Sequence, residues 1–323
     1  MASEHERIAE IRARLSRGAP ASAGIELSIG DDAAILKASS AGSVLSVDAQ
    51  VEGVHFRRQW LSLRQLGARA LASALSDLAA MGAIPRAALL SIICPGELTD
   101  QELYEIIDGA ADAQARYGCS VVGGNLARGA ELSITTTVIG ASPQQPLARS
   151  GAQPGDGLYV TGLLGSAALG LELLRRGLSE RAPGHVERWR VPTARIAEGT
   201  RAAEHAHAAI DVSDGLLQDL RHVCAASSIG CVVEVAALPR PSEVALALEL
   251  GLDLERLALS GGEDYELLIA AAQPPPGADF TRIGTFCEGS DILLRDGAGA
   301  LRAAQLAGFD HFGNQAKSSD LGV

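Results

Sequence analysis

Residues 208–227 read AAIDVSDGLLQDLRHVCAAS, and this stretch indicates most directly how the chain folds. A short apolar run ends at Val212, a polar turn containing a glycine follows, and apolar residues then recur at helical spacing from Leu216. The stretch therefore predicts a strand, a turn and a helix in succession. Asp211 and Asp214 lie at the junction, where side chains at a strand end can point into a cleft.

Strand-like and helical stretches also alternate on both sides of this unit, which predicts a mixed α/β (α+β) fold. Proline and glycine cluster over residues 142–156 and indicate a boundary. We therefore expect an N-terminal domain over residues 1–145, a C-terminal α/β domain over 146–312 and a flexible tail over 313–323. Individual predictions include a helix over 1–20, a long alanine-rich helix over 63–81, a helix that begins at Thr99 or Asp100, a strand at 120–124 that enters a double-glycine turn, and a last strand at 280–286.

Acidic residues gather in four short islands next to glycines or small residues. The islands contain Asp31 and Asp32, Asp48, Asp77, and the group Asp211, Asp214 and Glu263. Carboxylate oxygens in this number suit Mg²⁺, which commonly bridges to substrate phosphates. The alternative is that each aspartate forms a turn or caps a helix, as Asp214 would do at the start of its helix.

The composition limits the possible partners. The formal charge is −12, from 27 basic and 39 acidic residues, and the only lysines are Lys37 and Lys317. Nucleic acid and anionic membranes are therefore not expected as partners, because both need basic patches. A phosphate-bearing substrate would need divalent metal between itself and the carboxylates. No GxxxxGK[ST] motif and no protein-kinase motif set is present.

The remaining features predict a cytoplasmic protein. The five cysteines are scattered and never form CxxC, as in proteins from reducing compartments. The N-terminal stretch is a charged amphipathic helix and not a signal peptide, and no apolar run is long enough to span a membrane.

The chain resembles the thiamine-monophosphate kinase family, within the superfamily that includes aminoimidazole ribonucleotide synthetase and selenophosphate synthetase. Eight motifs carry the resemblance in family order: IGDDAAIL, VEGVHF, SDLAAMGA, GGNLARG, ARSGAQPGD, DVSDGL, SGGEDYEL and GFDHF, from Ile29 to Phe312. The resemblance implies a two-domain synthetase-like fold. It also implies a homodimer in which the N-terminal sheets pair into a barrel.

The implied activity is direct, in-line transfer of the γ-phosphoryl of ATP to thiamine monophosphate, with several Mg²⁺ ions and no covalent nucleophile. The residues implied as metal ligands are Asp32, Ser46, Asp48, Asp77, Asn125, Asp211 and Asp214. Those implied for ATP are Gly124, Arg149 and Ser213. Those implied for the substrate are His55, Glu263 and Phe309.

Three positions depart from the family pattern. Asn125 stands where an aspartate is usual, Val47 where a threonine is usual, and Ala74 where an asparagine is usual. Each change is expected to remove a polar group from the metal side of the cleft. Two other functions are therefore considered: a nucleotide-binding paralogue without catalysis, and another ATP-dependent synthetase of the same superfamily.

Overall fold

The computed structural model describes residues 4–17, 24–29, 33–38, 40, 42–277 and 279–304. Helices and strands interleave through both halves, which confirms the mixed α/β class. The helices are α1 (Glu4–Ser16), α2 (Leu63–Ala80), α3 (Asp100–Tyr117), α4 (Ser166–Arg175), α5 (Pro183–Arg190), α6 (Ile196–Ala202), α7 (Leu216–Ser227), α8 (Val244–Leu250) and α9 (Leu254–Ser260).

Within the described residues, the strands form one sheet of two strands, one of four and one of seven. Their bounds are β1 (Ile25–Leu27), β2 (Ile35–Leu36), β3 (Ser43–Val51), β4 (Ile84–Cys94), β5 (Ser120–Arg128), β6 (Ser133–Ala141), β7 (Gly157–Thr161), β8 (Ala208–Val212), β9 (Gly230–Glu234), β10 (Glu266–Ala271), β11 (Phe280–Cys287), β12 (Ile292–Arg295) and β13 (Leu301–Ala303). The expectation that the chain's last strand lies at 280–286 is wrong, because β12 and β13 follow it and extend the sheet.

The four-stranded sheet has the order β3-β6-β4-β5, and helices α2 and α3 lie beside it. Each helix begins with a reciprocal capping box. Ser62 accepts from the Gln65 N–H at 3.2 Å, and Gln65 accepts in return from the Ser62 N–H at 2.9 Å. Thr99 and Glu102 form the same pair at α3, so Thr99 is the cap. These caps satisfy backbone groups that would otherwise be orphaned at the helix start.

Helices α2 and α3 approach each other closely because each presents a glycine to the other's backbone. A Cβ at Gly67 would lie 1.8 Å from the Ile106 carbonyl oxygen, and a Cβ at Gly109 would lie 1.7 Å from the Arg64 carbonyl oxygen. Any side chain at either position would force the helices apart. The close contact fixes α2, which carries several candidate site residues, against the N-terminal core.

The seven-stranded sheet has the order β13-β12-β9-β11-β7-β10-β8. Every residue of β7, β8 and β10 is buried, as expected for strands covered on both faces. Helices α5, α8 and α9 also belong to the C-terminal half and were not predicted. No helix in the described ranges is both long enough and apolar enough to cross a membrane.

Candidate functional site

Strand β3 sorts polar and apolar side chains onto opposite faces. Ser46, Asp48 and Gln50 alternate along one face and are partly or fully buried, whereas Leu45 and Val47 on the other face are 64% and 61% exposed. The two-residue period of a strand produces this separation. Val47 therefore does not lie on the same face as the candidate ligands, and the expectation that it removes a polar group from the metal side is wrong.

Helix α2 presents a matching row of polar side chains to that face. Arg69, Ser73 and Asp77 recur every four residues and so share one side of the helix. The Ser46 hydroxyl donates to Asp77, and Gln50 contacts both Ser73 and Arg69 at 3.4 and 3.0 Å. We call Ser46, Asp48, Gln50, Ser73 and Asp77 the polar seam, which Arg69 joins through Gln50. Ala74 points elsewhere, because it is fully buried in the hydrophobic core.

The strand–turn–helix unit brings Asp211 from the C-terminal half to the end of this seam. Its carboxylate accepts from the Ser76 hydroxyl of α2 at 2.7 Å. Burial, together with the nearby charge of Asp77, raises the pKa of the Asp211 carboxyl to about 7. Burial and the charge of Asp48 likewise raise the pKa of Asp77. Asp77 therefore lies within electrostatic reach of both Asp48 and Asp211.

Arg149, predicted to contact nucleotide, is close to the same carboxylates. It is exposed, and its positive charge lowers the pKa of both Asp77 and Asp211, against the larger effect of burial. The structure thus brings an accessible guanidinium and several carboxylates to one place. Such a combination can hold a phosphate chain only if a cation compensates the acidic groups.

The chemistry of these donors fits Mg²⁺. Asp211 is buried and Asp77 is partly buried, and both carboxylates accept from serine hydroxyls, so their oxygens are hard and of the type Mg²⁺ prefers. Within the described ranges no group of three or more His, Cys, Asp or Glu residues is arranged to hold a metal ion. Mg²⁺ usually keeps waters and takes substrate phosphates as further ligands. Asp32, another predicted ligand, lies outside the described residues.

The turn before α7 is held by a residue that the sequence did not single out. One carboxylate oxygen of Asp219 accepts from the N–H groups of Ser213, Asp214 and Gly215 at 3.0, 3.1 and 3.1 Å. Burial, with the charges of Asp211 and Asp214, raises the pKa of Asp219 to about 8. The alternative interpretation, that Asp214 caps the helix, is wrong, since the cap position is Gly215 and Asp219 accepts from the N–H groups of the turn.

Gly124 and Asn125 lie within β5, so the expected double-glycine turn is wrong. Residues 123 and 124 pair with β4 across a register shift, and a Cβ at Gly124 would lie 1.8 Å from the Leu90 carbonyl oxygen. Strand pairing alone thus requires a glycine there. Asn125 is exposed and pairs in register with Ser91.

Residues 261–265 form a loop that packs against the turn before α7. The N–H groups of Glu263 and Tyr265 donate to the carbonyls of Ser213 and Val212 at 2.7 and 2.9 Å. Both residues have a positive φ, 68° and 51°, which costs roughly 1–2 kcal/mol for a residue with a side chain. The loop is therefore held in this conformation by its neighbours.

Glu263 is held by two residues from distant parts of the chain. One carboxylate oxygen accepts from the Arg69 guanidinium, and the other accepts from the Trp189 indole N–H. Its side chain is 25% exposed, so one side of the carboxylate reaches solvent. Each oxygen can still accept a second hydrogen bond.

Asp264, which follows Glu263, accepts hydrogen bonds from the backbone at the start of α4. It accepts from the N–H groups of Gly165 and Ala167 at 2.5 and 2.8 Å. Burial raises the pKa of this carboxyl to about 7. Residues 162–170, GLLGSAALG, form a glycine-containing turn and the start of α4. Because the N–H groups there are already satisfied, this stretch packs a helix and is not a phosphate loop.

Two predicted substrate contacts remain. His55 follows β3, and its Nδ1 accepts from the Val51 N–H at 3.1 Å, which leaves Nε2 as the protonated nitrogen of the neutral ring. Phe309 lies outside the described residues. Sequence reasoning missed Gln50, Arg69 and Trp189. The recurrence of Arg69, Ser73 and Asp77 at four-residue intervals in an alanine-rich helix was the signal that could have found the arginine.

Comparison with known proteins adds three observations. Residues 30–142 match the N-terminal domain of the AIR synthase related protein family, and residues 153–293 match its C-terminal domain. A thiamine-monophosphate kinase from Mycobacterium tuberculosis is 36% identical over 313 residues, which cover 96% of this chain and 92% of the relative. The chain is thus similar to that enzyme along nearly its whole length.

Two solved structures are also similar to this chain over most of its length. A thiamine-monophosphate kinase from Stenotrophomonas maltophilia K279a superposes with a TM-score of 0.79 at 34% identity, covering 90% of this chain and 96% of the other. A structure of AaThiL complexed with AMPPCP and TMP also gives a TM-score of 0.79, at 31% identity, covering 88% and 92%.

Proposed function

The chain belongs to the thiamine-monophosphate kinase family of AIR synthase related proteins, and we propose from this premise that it phosphorylates thiamine monophosphate with ATP. The observation that carries the proposal is the meeting of Asp77 and Asp211, from the two halves of the chain, beside the accessible Arg149. Related proteins that carry this name share the fold over most of the chain, one of them with AMPPCP and TMP bound.

The reaction needs no covalent intermediate on the protein. An oxygen of the thiamine monophosphate phosphate attacks the γ-phosphorus of ATP in line, the bond from that phosphorus to the β,γ-bridging oxygen breaks, and ADP leaves. The acceptor oxygen is already largely ionised near neutral pH, so no strong general base is required. The residues would therefore contribute mainly by orienting the two phosphates and balancing their charge.

Mg²⁺ is proposed to be held by Asp77, Asp211, Asp48 and Ser46, with Asp32, Asn125 and Asp214 as further ligands by the family pattern. The ions would neutralise phosphate charge and orient the reacting groups. The contact of Asp77 with Ser46 and the shared electrostatics of Asp77 and Asp211 support this assignment.

ATP is proposed to bind along the turn before α7 and the N-terminal sheet, through Arg149, Ser213 and Gly124. Arg149 is exposed and close to the carboxylates, as a phosphate contact must be. Its guanidinium can hold a phosphate through two parallel hydrogen bonds. The backbone N–H of Ser213 already donates to Asp219, so its hydroxyl is the group proposed to reach the nucleotide.

Thiamine monophosphate is proposed to contact His55, Glu263 and Phe309. Glu263 offers the exposed side of a carboxylate, which can accept from the aminopyrimidine or lie near the thiazolium charge. The Nε2–H of His55 is a suitable donor to a phosphate oxygen.

The protein is also proposed to form a homodimer through its N-terminal sheet. On the face of the sheet that bears Leu45 and Val47, Leu89 and Ile93 of β4 are 36% and 37% exposed as well. A second copy of the same face would cover these side chains and bury a contiguous apolar surface.

The proposed function is tested by incubating the purified protein with ATP, Mg²⁺ and thiamine monophosphate and separating the products by chromatography. Thiamine diphosphate should form only when all three are present, and EDTA should abolish it. ATP binding without product would contradict the proposal and favour a nucleotide-binding paralogue without catalysis.

A further inference from the structure

We propose that Arg69 is a positioning residue for this reaction: its guanidinium fixes the Glu263 carboxylate for the substrate and ties that carboxylate to the polar seam. The inference rests on the proposed function and deepens it. Arg69 would touch neither substrate nor metal and would act only through Glu263 and Gln50.

The guanidinium of Arg69 connects three segments of the chain. The side chain is fully buried. Its Nε donates to the Gln50 side-chain oxygen at 3.0 Å, one terminal nitrogen donates to the Trp189 carbonyl, and the other donates to Glu263. These partners belong to β3, α5 and the loop 261–265. A rigid planar fork can satisfy three such acceptors at once, which an ammonium group does far less well.

Trp189 also holds the Arg69 guanidinium and the Glu263 carboxylate in place. Its ring lies 4.7 Å from the Arg69 guanidinium carbon, and its indole N–H donates to the second oxygen of Glu263. Trp60 meets the ring edge-on, with centroids 5.8 Å apart. Both carboxylate oxygens are therefore oriented before any ligand arrives, which lowers the entropy lost on binding.

The hydrogen bonds that lead from Gln50 to the predicted metal ligand Asp48 are weaker than those between Arg69 and Glu263. Gln50 donates to Asp48 and to Ser73, each at 3.4 Å, which is long for a hydrogen bond. Loss of Arg69 should therefore disturb Glu263 strongly and Asp48 only slightly. The binding of thiamine monophosphate should suffer more than the binding of ATP.

The test compares three variants by steady-state kinetics. Arg69→Met removes the guanidinium and should raise the KM for thiamine monophosphate about tenfold or more, as expected for a lost hydrogen bond to a charged group, while the KM for ATP changes less than about threefold. Arg69→Lys keeps the charge without the fork and should give an intermediate KM. Arg64→Met, which alters an exposed arginine on the same helix, is the control and should leave both constants unchanged.

A double-mutant cycle separates positioning from general destabilisation. If Arg69 acts through Glu263, Arg69→Met combined with Glu263→Gln should raise the KM for thiamine monophosphate no further than Glu263→Gln alone. Effects that multiply, or a rise in the KM for ATP equal to that for thiamine monophosphate, would overturn the proposal. Should Arg69→Met fail to fold, the same cycle is run with Arg69→Lys.

A second readout does not require turnover. Trp60 and Trp189 are the only tryptophans, so Trp60→Phe leaves Trp189 as the sole tryptophan reporter beside Arg69 and Glu263. In that background Arg69→Met should change the Trp189 emission. Glu263→Gln should then change the emission less in the protein that carries Arg69→Met than in the protein that keeps Arg69. Independent responses would overturn the inference. Absence of turnover in the unmodified protein would instead contradict the proposed function, and the emission cycle would still decide whether Arg69 holds Glu263.

Discussion

The Asp77 carboxylate, in the last turn of α2, lies close enough to the Asp211 carboxylate, at the end of β8, to raise the pKa of Asp211. Two like charges are thus brought together by segments from different halves of the chain. Proteins tolerate such an arrangement when a cation or a reaction uses it, because it costs stability otherwise.

Asp211→Asn should separate the cost of this charge pair to stability from its use in the reaction. The amide keeps an acceptor for the Ser76 hydroxyl and removes a buried charge, so the melting temperature should stay the same or rise. Turnover should fall by about 100-fold or more, since charge balance at the transferred phosphoryl is lost. Calorimetry and the product assay measure the two results. A stable variant with full turnover would show that Asp211 does not take part in the reaction.

Asp219 should matter for stability through the turn before α7. Asp219→Ala leaves three backbone N–H groups without their acceptor and should lower the free energy of unfolding by about 1–3 kcal/mol. Asp219→Asn keeps one acceptor oxygen and should lose less. Urea unfolding of both variants checks this order, and equal stability of the alanine variant and the unmodified protein would contradict it.

Asp264 should make stability depend on pH. Its folded pKa is about 7, above the value of about 3.9 for an unfolded chain, so the folded state binds more protons between these values. This contribution to stability is therefore greatest below about pH 4 and is lost as the pH rises to about 7.

Asp264→Asn should abolish that part of the pH dependence. Asp211 and Asp219 titrate in an overlapping range, so the informative quantity is the difference in unfolding free energy between the variant and the unmodified protein. The variant should gain relative stability from about pH 4 to about pH 7 and show a constant difference above it. Parallel curves throughout would show that Asp264 does not titrate there.

Asn125→Asp should restore a carboxylate that the family pattern contains. Because ligand charge helps to set the affinity for a cation, the Mg²⁺ concentration for half-maximal activity should fall several-fold. Turnover at saturating Mg²⁺ should change by less than about threefold, since positioning is unaltered. A large gain in turnover at saturating Mg²⁺ would instead show that Asn125 impairs the natural site.

Leu45→Glu should dissociate the proposed dimer. Leu45 is 64% exposed in the single chain, so the folded protomer can accept the charge, but a paired apolar sheet cannot. Light scattering should give the mass of one chain. Leu248→Glu, at a residue 75% exposed on α8, is the control and should keep the original mass. A monomeric unmodified protein would contradict the dimer itself.

Sequence reasoning predicted those features that depend on local patterns. Alternation of strands and helices, the cap at Thr99 and the place of Asp77 near the end of α2 all follow from spacing and capping residues. The islands containing Asp48, Asp77 and Asp211 were found because each lies beside a recognisable motif. The structure places Asp77 close to both Asp48 and Asp211, although Asp48 lies within β3 and not at its end.

The parts that were missed depend on contacts between distant residues. Arg69 and Glu263 are 194 positions apart, and nothing near either one indicates the pairing. Asp219 lies on a helix, where a carboxylate usually faces solvent, yet it is buried under the preceding turn. Gly124 suggested a turn, but tight pairing with Leu90 explains it within a strand.

Phosphorus NMR of a reaction mixture follows all the phosphates of the proposed reaction at once. With the protein, Mg²⁺, ATP and thiamine monophosphate, we expect ATP and thiamine monophosphate to decline together while ADP and thiamine diphosphate appear in equal amounts, without free phosphate. Release of inorganic phosphate from ATP without thiamine diphosphate, or no change in the ATP signals, would contradict it.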